Sequence, residues 1–282
     1  MSTSHLLFVI ALFGAFCLAA PVSAAETPVT IPTATETPAV NPTTPGSTPT
    51  PADPAKDATT ASSTANASDT TVASGPVGVR VNVFAVVSPD IEEQVKVVGT
   101  ILKDQLGMET FAQKGFQIHC TLYMTHFLPE KTERLTQEVA SLAATLKTFD
   151  VQTTGLMLTK DNWLFLNLEK NKNLNDLMEK VVKGLYNLRS DNIPVPEWLK
   201  NYPEKMSSFK VYGSPNVFED FEPHLTLVAK GDFEKLAKFI VLAKTSDVLM
   251  KTVNGRIVGI GVGLADDDGQ VQKAQIIFPL KP

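Results

Sequence analysis

Apolar and polar positions alternate in short stretches from residue 77 to the end of the chain, and apolar residues at helical spacing lie between those stretches. The alternation predicts strands at 79–87, 116–127, 151–158, 163–168 and 223–229, and a final hairpin around 266–269. The helical spacing predicts helices from Pro89 to about Leu106 and at 129–149, 174–188 and 233–244. The working part of the chain therefore mixes strands and helices.

Two parts of this pattern repeat each other. Each part is a short strand, a helix and a β-hairpin. A further strand and helix precede the first part, and a helix and a Pro-containing loop lie between the two. The repeat predicts an α+β fold of two similar, pseudo-symmetric lobes, in which two antiparallel sheets line a central cleft and the helices lie outside. Two domains without internal symmetry are the alternative.

The N-terminal segment has the pattern of a targeting signal. Leu6 to Ala20 is almost wholly apolar, and at 15 residues it is short for a membrane span. Small residues follow, with a cleavage site expected near residue 25. We therefore expect residues 1–25 to be a signal peptide, the protein to be secreted or periplasmic, and no stable membrane span to remain after cleavage. An uncleaved anchor is the alternative.

Residues 26–76 have the composition of a spacer. Positions 26–75 contain 14 Thr, 8 Pro and no aromatic residue. Such a stretch cannot bury enough apolar surface to offset the entropy lost on ordering, so it predicts a disordered Thr/Pro-rich linker. Residues 77–282 then form the working domain, which we expect to be monomeric.

Charge and cysteine content exclude several classes of protein. The chain has a net charge of −5, and the 76 N-terminal residues account for nearly all of it. A domain so close to neutral has no basic surface for coating DNA, although a pocket for a small phosphate ester remains possible. Cys17 and Cys120 are the only cysteines. Two cysteines make neither a disulfide framework nor a CxxC-type zinc site, and Cys120 is expected to be buried.

The candidate chemistry lies in two matching motifs, one in each half. The first is His119-Cys120-Thr121-Leu122, and the second is His224-Leu225-Thr226-Leu227. In a strand, residues i and i+2 point to the same face, so each motif places an imidazole beside a hydroxyl. Pseudo-twofold symmetry would bring the two imidazoles together across the cleft. Two structural histidines, each satisfied by its neighbouring hydroxyl, are the simpler alternative.

Such a pair suits cleavage of a phosphodiester. In-line cleavage needs a base on one side of phosphorus and an acid on the other, and histidine serves as either near neutral pH. Threonine hydroxyls can donate to the non-bridging oxygens as charge develops. Two imidazoles and two hydroxyls would suffice without a metal or a cofactor.

These motifs, with Phe221-Glu222-Pro223 before the second and the opening strand Arg80 to Val86, resemble the 2H phosphoesterase superfamily and its 2'-5' RNA ligase-like members. The resemblance covers nearly all of residues 77–282. It implies the bilobal fold and metal-free opening of 2',3'-cyclic phosphates on nucleotides or RNA ends. It also implies acid-base roles for His119 and His224, phosphate binding by Thr121 and Thr226, and RNA ligation at most as a side activity.

Other residues carry weaker signals. Tyr123 is expected to share the face of His119, where it would stack on a base or, more simply, pack in the core or the cleft wall. Phe84 would line the cleft or the core, and His126 is expected at the surface. The run Asp266 to Gly269 indicates a hairpin turn rather than a cation site. Besides the phosphodiesterase, an inactive nucleotide- or RNA-binding module with the same cleft remains open, with a purely structural role third.

Overall fold

The computed structural model describes residues 77–272 and 275–282, all of which belong to one compact unit, Ala67–Pro282. The predicted signal peptide (residues 1–25) and linker (residues 26–76) lie outside the described residues. In the described part of the chain, no helix is long and apolar enough to cross a membrane.

Strands and helices follow one another much as the sequence pattern predicts. The strands are β1 (Val79–Val87), β2 (Cys120–Phe127), β3 (Phe149–Leu158), β4 (Leu164–Leu168), β5 (His224–Val228), β6 (Asn254–Leu264) and β7 (Ile276–Pro279). The α-helices are α1 (Pro89–Leu106), α2 (Thr132–Ala143), α3 (Lys172–Leu185), α4 (Met206–Tyr212) and α5 (Phe233–Lys244). The units β2–α2–β3–β4 and β5–α5–β6–β7 form the predicted repeat.

Local sequence explains where the first helix begins and ends. Ser88 is extended, and Pro89 opens α1 at a position where a missing backbone N–H costs nothing. Gly107 ends the helix with a left-handed φ of 68°, a conformation that glycine adopts without strain. Between them Ile91, Val95 and Leu102 recur on one buried face. This face fixes α1 against the sheet.

All seven strands pair antiparallel in the order β1-β2-β5-β4-β3-β6-β7, and β1 also pairs with β6. The α+β class is therefore confirmed. The difference from the prediction is that one hydrogen-bonded sheet replaces two separate ones. The 11-residue β6 is long enough to pair with β3 near Asn254 and with β1 up to Leu264, so it joins the halves.

Two predicted boundaries move. The strand predicted from residue 116 begins at Cys120, and Phe116 makes only an isolated bridge with Gln272. The helix predicted to continue to residue 149 ends at Ala143, and β3 starts at Phe149. Leu146 lies in the segment between the helix and β3 and packs against the core, which explains why the apolar spacing continues to this residue. Its carbonyl accepts a hydrogen bond from the Lys281 backbone N–H.

Candidate active site

His119 immediately precedes β2 and is held at both ring nitrogens. Its Nδ1 lies 2.8 Å from the carbonyl oxygen of Gln117, which can only accept, so Nδ1 carries a hydrogen. Its Nε2 lies 3.1 Å from Nδ2 of Asn82 on β1. The ring of Phe84 lies beside it, with centroids 5.1 Å apart. His119 retains 5% of its surface exposed, so it is nearly buried.

Thr121 shares this cluster, as the i, i+2 rule predicts. Asn82 Nδ2 donates to Thr121 Oγ1 at 2.9 Å and to the Gly269 carbonyl at 3.2 Å. The same amide thus contacts the imidazole and the hydroxyl of the first motif. Asn82 lies within the opening strand Arg80 to Val86, and the sequence pattern predicted no role for it. A buried polar residue in the middle of the apolar run Val81 to Val87 was the available signal.

His224 opens β5 and repeats part of this arrangement. Its Nδ1 donates to the carbonyl of Glu222 at 2.7 Å, again two residues earlier in the chain. Its ring stacks on Phe165 of β4, with centroids 3.9 Å apart and planes inclined by 17°. His224 is partly exposed, in contrast to His119. Phe165 is a further residue that sequence analysis did not single out.

The two motifs meet where β2 and β5 pair. Cys120 and Leu225, the second residue of each motif, are register partners and are 0% and 1% exposed. Both point into the core, as predicted, and Cys120 is a free thiol. Antiparallel pairing centred on these two residues directs the flanking His and Thr side chains to one face and towards each other. We call this face, with His119, Thr121, His224 and Thr226, the motif face.

The neighbouring strands support both halves in the same way. Phe84 on β1 is the register partner of Thr121, and Phe165 on β4 is the register partner of Thr226. Each phenyl ring consequently lies beside the imidazole of its own motif. The sequence left open whether Phe84 lines the cleft or packs in the interior. Phe84 is 0% exposed and lies beside His119, so it packs in the interior.

Glycine on β6 makes room for Phe84. A Cβ added at Gly261 would lie 2.2 Å from Phe84 Cζ, closer than any packed carbon pair allows. Gly261 and Phe84 are register partners in the β1–β6 pairing. Close approach of the Phe84 ring therefore accounts for glycine at this position.

The electrostatics of the face keep both imidazoles neutral in the free protein. Burial lowers the pKa of His119, although the Gln117 carbonyl and Asp266 oppose the shift. Burial also lowers the pKa of His224 to about 4, and the positive charges of Lys205 and protonated His119 act in the same direction. A positive charge on His119 therefore disfavours protonation of His224.

Lys205 is a cation close to the second motif. Its side chain is only 12% exposed and its ammonium lies 2.9 Å from the Glu222 carboxylate, with Asn216 Oδ1 at 3.3 Å. The sequence pattern by itself does not separate Lys205 from the other lysines before the second motif. Its burial beside the residue whose carbonyl holds His224 sets it apart from them.

The run Asp266 to Gly269 forms the predicted turn. Oδ1 of Asp266 accepts from the backbone N–H groups of Asp268 and Gln270, and Gly269 has a left-handed φ of 72°. Asp268 also pairs with Lys230 at 2.6 Å. The turn reaches the motif face through the Gly269 carbonyl that accepts from Asn82.

Tyr123 does not lie on the motif face, so that prediction is wrong. Val83 pairs with Tyr123 but the next residue, Phe84, pairs with Thr121, so an extra residue bulges from β2. The bulge resets the alternation and turns Tyr123 into the core, where it is 0% exposed and its hydroxyl donates to the Tyr212 carbonyl at 2.6 Å. His126 is half-buried, pairs with Arg80 across β1 and lies outside the cluster.

Two surface hollows lie away from the motifs. One, of about 260 Å³, is lined by residues of α2 and α3, and the other, of about 470 Å³, by residues that include Asp150 and Arg256. Neither has a motif residue in its lining. Within residues 77–272 and 275–282, no three His, Cys, Asp or Glu side chains are grouped to hold a metal.

Comparison with known families identifies the domain. Residues 112–246 match the family model of the 2'-5' RNA ligase superfamily, and both His-x-Thr-Leu motifs lie inside this range. The matched residues, just under half of the chain, thus have the sequence features of that superfamily, a group of 2H phosphoesterases. Phosphodiesterase-type chemistry is accordingly the class of activity that the domain supports. No curated protein matches the sequence.

Several solved structures resemble this chain over most of their own length. TT0787 of Thermus thermophilus is 14% identical, with 72% of this chain and 98% of that one covered and a TM-score of 0.44. LigT of E. coli, solved with phosphate, is 11% identical over 73% and 100% of the two chains, with a TM-score of 0.44. Usb1 of Kluyveromyces marxianus is 10% identical over 72% and 99%, with a TM-score of 0.39.

Proposed function

We propose that this protein is a metal-independent cyclic phosphodiesterase that hydrolyses 2',3'-cyclic phosphates of nucleotides or RNA ends. One imidazole of the pair His119 and His224 activates water, and the other protonates the leaving ribose oxygen. Thr121 and Thr226 donate to the non-bridging oxygens. The observation that carries the proposal is the joining of the two motifs through Cys120 and Leu225, which gathers both imidazoles and both hydroxyls on one face.

The hydrogen-bonding pattern supports acid-base roles for both rings. Each Nδ1 donates to a backbone carbonyl, at Gln117 and Glu222, so proton exchange is confined to Nε2. A neutral ring offers a lone pair there, and a charged ring offers a proton. A bound phosphate diester carries one negative charge, which favours the imidazolium form and supplies the second protonation state that the reaction needs.

We further propose that the protein acts outside the cytoplasm. The support is the apolar stretch Leu6 to Ala20 followed by small residues and a Thr/Pro-rich spacer. Mass spectrometry of the protein recovered from the cell exterior or periplasm tests this. An N-terminus near residue 26 is the expected result, and a chain retained with residues 1–25 in the cell membrane would overturn it.

The activity is tested with a panel of 2',3'-cyclic mononucleotides and oligonucleotides ending in that group, followed by phosphorus NMR in the presence of EDTA. Conversion to a single 2'- or 3'-monoester is expected, with 3',5'-cyclic nucleotides as the comparison. The His119→Ala/His224→Ala double variant, purified identically, gives the background from contaminating enzymes. Nucleotide binding by calorimetry with no conversion above that background would instead indicate the inactive binding module.

A further inference from the structure

We propose that Asn82 is a positioning residue for the first half of the site: its amide Nδ2 caps the Nε2 lone pair of His119 and turns the Thr121 hydroxyl hydrogen towards the substrate. This inference rests on the proposed function of His119 and Thr121 as reacting and phosphate-binding groups. Asn82 lies on a different strand from both, is 0% exposed and contacts both at hydrogen-bond distance.

The orientation of the Asn82 amide follows from its neighbours. The carbonyl oxygen of Gly269 lies 3.2 Å from Nδ2 and can only accept, so the nitrogen and not the oxygen must face this cluster. The Oδ1 atom on the other side is buried and has no hydrogen-bond partner among the described residues. The contacts of Nδ2 with His119, Thr121 and Gly269 therefore fix the orientation of the amide.

A donor at this position has two consequences. Thr121 Oγ1 accepts from Asn82, so the hydroxyl's own hydrogen is free to donate elsewhere, as a phosphate-binding threonine requires. His119 meets an N–H at Nε2 and a carbonyl at Nδ1, so the neutral ring with its proton on Nδ1 satisfies both partners. A proton on Nε2 would instead face the Asn82 amide hydrogen.

The hydrogen bond from Asn82 to His119 can be broken while the other two contacts of Nδ2 are kept. Nδ2 has two hydrogens but three acceptors around it, namely His119 Nε2, Thr121 Oγ1 and the Gly269 carbonyl. When water or substrate approaches, the amide can serve Thr121 and Gly269 and leave the His119 lone pair open. The turn from Asp266 to Gly269 supplies the third acceptor and so takes part in this arrangement.

Among the residues that the structure describes, no side-chain amide caps the imidazole of the second half. Phe84 and Phe165 hold matching register positions, so Trp163, two residues before Phe165, corresponds to Asn82. An indole has no acceptor, a single donor and a different shape, and it contacts Phe165 edge-on. Asn82 thus makes the surroundings of the two imidazoles unequal, because a side-chain amide contacts Nε2 of His119.

Other charged groups lie around His119 and affect its protonation. Asp266, on the turn after β6, favours the imidazolium form of His119, and a charged His119 in turn lowers the pKa of His224 on β5. Arg80 on β1 binds the carbonyls of Asp266 and Asp267, and the Asp268–Lys230 pair lies on the same turn. Phe84 and Gln117 contribute no charge. These groups stay unchanged in a variant confined to position 82.

The test compares Asn82→Asp with Asn82→Leu by nitrogen-15 NMR of the histidine rings, with His119 assigned from the His119→Gln spectrum. Wild-type His119 should be neutral at pH 7 with its proton on Nδ1. Asn82→Asp puts an acceptor at Nε2. The proton affinity of His119 should rise at least tenfold, which raises its pKa by at least one unit. Asn82→Leu should move the Nε2 signal downfield, because the lone pair loses its hydrogen bond. In Asn82→Leu, which adds no charge, the His224 signals should stay where they are.

A merely structural role for Asn82 would alter thermal stability without these opposite effects on His119. Wild-type His119 with its proton on Nε2, or an unchanged Nε2 signal in folded Asn82→Leu, would overturn the inference even if Asn82→Asp failed to fold. If the NMR results hold but no cyclic phosphate is hydrolysed, the proposed function fails and the positioning role stands. With turnover present, Asn82→Asp should lower kcat and move the acidic limb of its pH profile upwards.

Discussion

Cys120 and Leu225 are register partners at the single residue pair by which β2 and β5 join. Both side chains are buried, so the residues on either side of them turn to the opposite face. The pairing is antiparallel, and it therefore relates His119 and Thr121 to His224 and Thr226 by an approximate local twofold axis. Two tetrapeptides that are far apart in the sequence become one site through this contact.

Replacing either motif histidine should remove most of the proposed activity. His119→Ala and His224→Ala should each lower kcat by about 10²- to 10⁴-fold, the usual contribution of a positioned general acid or base. Turnover of 2',3'-cyclic nucleotides checks this, and circular dichroism checks the fold. His126→Ala is the matched control, since His126 is half-buried outside the cluster. Near-normal turnover in either motif variant would refute the assignment.

The threonine hydroxyls should matter more for kcat than for KM. Thr121→Val and Thr226→Val keep the side-chain shape but lose a donor to oxygens whose charge grows in the transition state, so kcat should fall by about 10²-fold or more. Thr125→Val is the control, because Thr125 is buried and its Oγ1 has no hydrogen-bond partner among the described residues. Equal effects of all three variants on kcat would point to a general loss of packing.

The pH dependence of the reaction follows from the lowered pKa values. One imidazole must be neutral and the other charged, which gives a bell-shaped profile. Since burial lowers the pKa of both rings below the usual 6.5, kcat/KM should decline as the pH rises above about 6.5. The kcat profile should lie at higher pH, because the bound phosphate anion favours the imidazolium form.

Rates measured with and without EDTA complete this test. Turnover should be unaffected by the chelator. Activity that disappears in EDTA and returns with a divalent metal would contradict the two-histidine scheme.

Acid should destabilise the fold through the same rings. Below pH 6.5 the unfolded imidazole of His224 binds a proton, whereas the folded one stays neutral until about pH 4. The contribution of His224 to the free energy of unfolding is therefore fully present above pH 6.5 and is lost as the pH falls towards 4. The loss is roughly 2 to 3 kcal/mol. Urea unfolding of the wild type and His224→Gln at pH 7.5, 5.5 and 4 measures it. Parallel stability curves for the two proteins would show that His224 does not contribute.

The fit between Phe84 and Gly261 can be tested with two glycine variants, one at the ring and one at an exposed position away from it. Gly261→Ala forces a methyl group against the ring and should lower the free energy of unfolding by about 1 to 3 kcal/mol. It should also lower kcat, since Phe84 supports His119. Gly184→Ala, on the exposed side of α3 with nothing within 4 Å of the added carbon, should raise stability by about 0.5 to 1 kcal/mol. Similar losses in both variants would exclude a specific role for the ring.

Much of the architecture could be predicted from local pattern. The alternation over Val79–Val87 and the Pro89 and Gly107 boundaries of α1 are confirmed, because each depends on residues adjacent in the chain. The repeat of strand, helix and hairpin was visible for the same reason. The pairing of His119 with Thr121 on one face required only the two-residue period of a strand.

The sequence by itself determined the element types, the α+β class and the two His-x-Thr-Leu motifs. Only the tertiary structure decided that β6 joins both halves into one sheet, that a bulge turns Tyr123 into the core, and that Asn82 reaches His119. Each of these depends on hydrogen bonds between residues at least 37 positions apart. Local periodicity carries no information about strand register, so contacts of this kind appear only when the strands have been paired.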